Sequence, residues 1–361
     1  MSAALFQRLK DKVAAADDAV SHASAIRYIK RLDDFDAELM ANAKSESLVL
    51  TRQIRLVRIS YEDITYFVAF GLPEPETLPL GLQVADNTPG IFAVAVLSAN
   101  IQPGRLVTVS GIKDVLGGQS AETEGYVGHD LEEIRPLFPE MVVYLVHEEF
   151  PYQRSAERVL GSLLSKTYSD GPISLETDTV AALVEIFEQG SEFLPFQNLL
   201  QGVLSISWEN LYVEIYRCVE QLYSLPRLSK LKKEIAYANS PRELALIIEN
   251  QLSWRPKEEE AFRALVQMCD HGTVSSLCLG LSNGQGETHE RRSEVAVAEL
   301  YDLRNQIVHY RPSHERIIKS DERWNIIVRS MLAITSHLYL SEGEAFFGKS
   351  GMPPLNVVAK A

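Results

Sequence analysis

The sequence predicts an α+β protein: a β-rich α+β domain followed by an all-helical bundle. Three observations carry this. Runs rich in Val, Ile, Tyr and Phe cluster between residues 47 and 150. Strand patterning stops after about 150, and apolar residues spaced three and four apart take over. The charge is divided in the same way: residues 1–200 hold 16 Lys+Arg against 29 Asp+Glu, and residues 201–361 hold 19 against 20. A length of 361 residues suits two domains. They are expected at 1–175, an acidic sensor or regulatory domain, and 176–350, the bundle, with 351–361 as a flexible tail.

AALFQRLKDKVAAADDAV and AIRYIKRLDDFDAELMANA read as helix over the first 45 residues. SLVLTRQIRLVRISYEDITYFVAFGL reads as strands, with polar residues interleaved. GIFAVAVLSANI and GRLVTVSGI repeat the strand signal across the turn-like QPG, and MVVYLVHEEF adds one more. In the second half, TDTVAALVEIFEQG is helical. WENLYVEIYRCVEQLY places Trp208, Leu211, Tyr212, Ile215, Val219 and Leu222 on one stripe. Ser240 followed by Pro241 is a helix start, with the serine as cap and the proline at the first helical position. EEEAFRALVQMCD, SEVAVAELYDLRNQIVHY and DERWNIIVRSMLAITSHLYL complete a bundle of four or five helices. GLSNGQGETHERR is a polar loop.

Hydrophobic content of 46% and charged content of 23% are those of a soluble globular chain. There is no apolar run of membrane-spanning length and no signal-peptide pattern, so a cytoplasmic protein without membrane attachment is expected. Three cysteines, Cys218, Cys269 and Cys278, are too few and scattered for a disulfide framework. Cys269-x-His271 with Cys278 lacks a second metal-ligand pair, which favours buried structural thiols and no metal. GLSNGQG has no Gly-Lys-Ser/Thr and is not a phosphate-binding P-loop. His147-Glu148-Glu149 is not HExxH. No cofactor is expected. The net charge of −14 opposes nucleic acid over a screening length of roughly 8 Å, so any polyanion is expected on the second half.

YDLRNQIVHYRP, residues 301–312, is the segment that invites chemistry. A helix from an N-cap at Ser293 to about Tyr310 is ended by Pro312. Asn305 and His309 then lie one turn apart on one face. Arg304 lies about 140° from His309, close enough for its long side chain to reach the same groove. Leu300, Leu303, Ile307 and Val308 are left for the core. A guanidinium, an amide and an imidazole at one helix end match the needs of phosphodiester cleavage without a metal. Imidazole moves protons near neutral pH, and guanidinium grips phosphate oxygens in pairs. RNA brings its own nucleophile, the 2′-hydroxyl. Arginine followed at this spacing by histidine arises readily by chance. The context adds weight: this is the one such pair in the chain, with Asn directly after Arg and apolar residues around it.

LRNQIVH, with Arg304–Asn305 and His309 late in a bundle, resembles the HEPN superfamily, whose hallmark is Arg, often a polar residue next, and His after four to six positions. The resemblance covers roughly 205–345 and is nearest to anti-phage and abortive-infection members. It implies metal-independent RNA cleavage to a 2′,3′-cyclic phosphate, with Arg304 and His309 catalytic and Asn305 in support. It also implies a homodimer with two motifs facing one another. Toxin members carry a tyrosine two residues after the histidine; here that position is Arg311, and the tyrosine is Tyr310. Some members are inactive scaffolds. Tyr310 and Arg311 either stack on and pair with RNA or form a helix-end rim. Arg291 and Arg292, expected in the loop before the helix, either widen a phosphate-binding surface or are solvated charges. Arg304, Asn305 and His309 also admit a simpler reading as a polar helix face, with Asp302 pairing with an arginine. Three functions follow as expectations. One is an endoribonuclease in phage defence or toxin-type growth arrest, triggered through the N-terminal domain by a phage or host protein. Another is a dimerisation scaffold with an acidic partner-binding domain. The third is an acidic, DNA-mimicking regulator.

Overall fold

The computed structural model describes residues 2–15, 26–30, 33–117, 120–168, 171–281, 289–309 and 317–348. The chain divides into two compact units, 1–156 and 157–361, so the second begins ahead of the position expected from sequence. The α+β class holds: a five-stranded antiparallel sheet lies in the first unit, and the second is helical.

In the first unit, α1 (Ser2–Ala14) and α2 (Asp34–Asn42) precede β1 (Lys44–Val49), β2 (Arg55–Tyr61), β3 (Ile64–Phe70) and β4 (Leu82–Ala85). Then come α3 (Pro89–Ser98), α4 (Val109–Gly117), α5 (Leu131–Ile134) and β5 (Met141–Val146). The sheet order is β1-β2-β3-β5-β4. Tyr61 pairs with Ile64, so Glu62 and Asp63 form a two-residue hairpin loop, with Glu62 at φ 52°. Val57, Val68 and Val143 stand in register across three strands, and with Ile59, Phe70 and Met141 they line one face. Leu5, Phe6 and Leu9 of α1, Ile112 of α4 and Ile91 to Val96 of α3 join these residues in one core. The sheet's other face is buried too, at Leu56, Phe67, Ala69 and Tyr144.

Three expectations fail here. GIFAVAVLSANI is the helix α3, not a strand. Its residues from Pro89 to Val96 are all buried, so its pattern is apolar all round and shows no period. Thr88 caps it and Pro89 takes the first helical position. The Asp36 carboxylate, itself buried, accepts from Thr88 Oγ1 at 2.6 Å and from the Gly90 N–H at 2.9 Å. At the other end the Arg8 guanidinium donates to the carbonyls of Val96 at 3.0 Å and Ile101 at 2.7 Å. An anion at the N-terminus and a cation at the C-terminus answer both the macrodipole and the orphan backbone groups. GRLVTVSGI is likewise no strand. Leu106 is 97% exposed, and Thr108 Oγ1 accepts from the Gly111 N–H at the start of α4. AIRYIKR is not helical over residues 26–30, where Ile29 bridges to His129 in parallel.

Asp36→Ala removes an acceptor from a buried N–H. The expected cost is about 1–3 kcal/mol, read as a lower thermal midpoint. An unchanged midpoint contradicts the capping role.

The second unit holds α6 (Ala156–Lys166), α7 (Thr177–Gln189), α8 (Phe196–Val203), α9 (Trp208–Glu220), α10 (Leu225–Glu234), α11 (Pro241–Leu252), α12 (Glu258–Val266), α13 (His271–Leu281), α14 (His289–Val308) and α15 (Asp321–Phe347). These exceed the four or five helices expected. The stripe from Trp208 to Leu222 is buried as the spacing predicts, and Ser240 Oγ accepts from the Glu243 N–H. Trp208 stacks on Trp324 with centroids 6.2 Å apart and donates its indole N–H to Asp321. Tyr212 donates to the Leu300 carbonyl, which ties α9 to α14.

Candidate functional site: the C-terminal end of α14

α14 begins at His289, four residues before the expected cap at Ser293. Glu and Arg are good helix formers, so the polar HERR segment extends the helix although it carries no apolar period. Arg291 and Arg292 therefore lie in the first turns of α14 and not in a loop. Arg291 is exposed, and the side chain of Arg292 lies outside the described residues, as do Tyr310 and Arg311 altogether. The described helix ends at Val308, whose side chain is exposed rather than in the core; Leu300 and Leu303 are buried.

Ion pairs at Glu299 and Arg304 hold α14. Glu299 meets Arg323 at 2.9 Å on the N-terminal segment of α15. Arg304 meets two glutamates from other helices. Its Nε and Nη2 donate to Glu220 Oε1 at 2.8 and 2.6 Å. Its Nη1 lies 3.1 Å from Glu258 Oε2 and donates to Asn305 Oδ1, also at 3.1 Å. Beneath it the Tyr216 ring centroid is 6.0 Å from Cζ, and Tyr216 accepts a hydrogen bond from Tyr223. The Arg304 side chain is 12% exposed, against 26% for Glu220 and 46% for Glu258. Burial by itself weakens the guanidinium's hold on its proton, but Glu220 and then Glu258 outweigh it and keep Arg304 above the ordinary arginine range.

The structure thus joins Arg304 to Asn305 side chain to side chain. His309 is exposed just past the helix end, linked to Asn305 through its backbone N–H and the Asn305 carbonyl at 2.9 Å. The acidic partners of Arg304 are Glu220 and Glu258, and Asp302 is exposed. Neither glutamate is foreseeable from sequence. Both sit at helix ends far along the chain, and only tertiary packing brings them to α14.

The three cysteines are free thiols. Cys218 is buried on α9, Cys278 on α13, and Cys269 donates to the Leu265 carbonyl. Burial, followed by Asp270, pushes the Cys269 thiol up to about 12, and burial also raises Cys218 well above its ordinary range. Both thiols are expected to react slowly with iodoacetamide at pH 8 and promptly once the chain is unfolded. Prompt reaction in the native protein contradicts this packing. Among the described residues no helix is long and apolar enough to cross a membrane.

No family model, curated protein or solved structure matches the chain.

Proposed function

We propose that the protein is a metal-independent endoribonuclease of HEPN type, acting as a homodimer, with Arg304 and His309 catalytic and Asn305 in support. The observation that carries this reading is the group at the end of α14. There a permanently charged guanidinium is joined to an amide, and a solvent-facing imidazole lies one turn further on. Cleavage forms a bond from the 2′-oxygen to phosphorus as the bond from phosphorus to the 5′-oxygen breaks. The imidazole handles the protons: one leaves the 2′-hydroxyl and one is delivered to the departing 5′-oxygen. The guanidinium offsets the charge that builds on the phosphoryl oxygens. Single-stranded or looped RNA is the natural substrate, because its backbone is free to align the attack. Arg291, Arg292, Tyr310 and Arg311 extend the contact surface. The protein is cytoplasmic and serves in phage defence or toxin-type growth arrest. The acidic first unit is its sensor for a phage or host protein. In EDTA, the wild type is expected to cut such RNA and Arg304→Lys to lose most of that activity, since a lysine cannot reproduce a bidentate grip. Undiminished cutting by Arg304→Lys overturns the assignment of Arg304.

The engagement of Arg304 by two carboxylates favours a second reading, a dimerisation scaffold in which this arginine only ties α14 to α9 and α12. A dimer by native mass that leaves RNA intact in every condition supports the scaffold.

A further inference from the structure

We propose that the two glutamates on Arg304 have opposite effects on RNA: Glu220 is a positioning residue that aims the guanidinium, and Glu258 covers the donors that an RNA phosphate takes. This rests on the nuclease reading above and names how its site is kept closed at rest.

The asymmetry is geometric. Glu220 binds Nε and Nη2 through one oxygen at 2.8 and 2.6 Å. Glu258 reaches only Nη1, at the longer 3.1 Å, and shares that nitrogen with Asn305. Glu220 is the less exposed of the two, at 26% against 46%. Helix position reinforces the difference. Glu220 is the last residue of α9, where the macrodipole opposes a free carboxylate, so releasing its cation is costly. Glu258 is the first residue of α12, where the macrodipole and water stabilise the carboxylate without any partner. A phosphodiester offers a guanidinium the same pair of oxygens as a carboxylate does. It therefore competes for the Nη1 edge, and Glu258 is the partner that leaves cheaply. Glu220 stays and keeps the guanidinium from swinging away from the end of α14.

The test is binding of a fluorescein-labelled single-stranded RNA oligonucleotide to the full-length chain at low salt, followed by anisotropy. His309→Ala is present throughout so that the probe is not cut. Adding Glu258→Gln is expected to tighten Kd by about two- to fivefold, the scale of one partly exposed ion pair. Adding Glu220→Gln is expected to weaken it by about tenfold, the scale of a misaimed contact. Circular dichroism melts check that both variants are folded. Adding Arg304→Ala must abolish the gain from Glu258→Gln, because the competition is for that guanidinium. A Kd unchanged or weakened by Glu258→Gln overturns the proposal, as does a gain that persists without Arg304 or an absence of binding in every variant. Failure of the nuclease reading shows up elsewhere, as RNA cutting that survives His309→Ala.

Discussion

Replacing His309 with alanine is expected to lower RNA cleavage by about 10²–10⁴-fold, the contribution of a positioned acid or base, while moving stability by no more than about 0.5 kcal/mol. The separation follows from its surroundings. His309 is exposed beyond the last residue of α14, and its fixed contact is a backbone one that alanine retains. Arg304 cannot be tested as cleanly. Arg304→Ala leaves Glu220 and Glu258 facing one another without their cation, so a loss of activity there mixes chemistry with lost packing. Comparing thermal midpoint and initial rate for His309→Ala reads the chemistry alone. A rate equal to the wild type's removes the imidazole from the reaction. A large fall in midpoint shows that it belongs to the fold.

Gly161→Ala is expected to destabilise the second unit by about 1–3 kcal/mol or more. Helix propensity predicts the reverse, since Gly161 lies inside α6 and glycine there costs about 1 kcal/mol relative to alanine. Space decides the sign. An added Cβ falls 2.1 Å from Phe187 Cε1, and Phe187 is fully buried with the Phe196 ring beside it. Arg158 lies over Phe196 at 4.6 Å and donates to the carbonyls of Phe187 and Gly190, so the aromatic pair has little room to give way. Gly111→Ala in α4 is the control. There the nearest atom is Thr108 Oγ1 at 3.4 Å, an ordinary contact, and a gain of about 0.4–1 kcal/mol is expected. Thermal melts of the two variants should move in opposite directions. Parallel shifts contradict the packing at Phe187.

Sequence periodicity revealed the second unit better than the first, for a physical reason. The stripe on α9 faces a core on one side and solvent on the other, so its spacing is visible in the residues. α3 is buried on every side, so its apolar run carries no period, and length and composition mislead equally. Its true signals were short: a threonine cap followed by proline. β4 spans only four residues, with Gln83 and Val84 exposed, and left no alternation to detect. At the motif, the Arg304 and Asn305 side chains meet as neighbours on one helix. Sequence could not show that the guanidinium is clasped. Its partners, Glu220 and Glu258, are ordinary helical glutamates in the sequence, and only the packing of α9 and α12 against α14 selects them.

The chemistry at the end of α14 is tested most directly by the ends of the RNA fragments. The purified full-length protein is incubated with a single-stranded RNA in EDTA, and the products are resolved by mass. Attack by the 2′-hydroxyl predicts 2′,3′-cyclic phosphate and 5′-hydroxyl ends, absent from the His309→Ala reaction. Fragments ending in 3′-hydroxyl and 5′-phosphate, or the same cyclic ends from His309→Ala, contradict it.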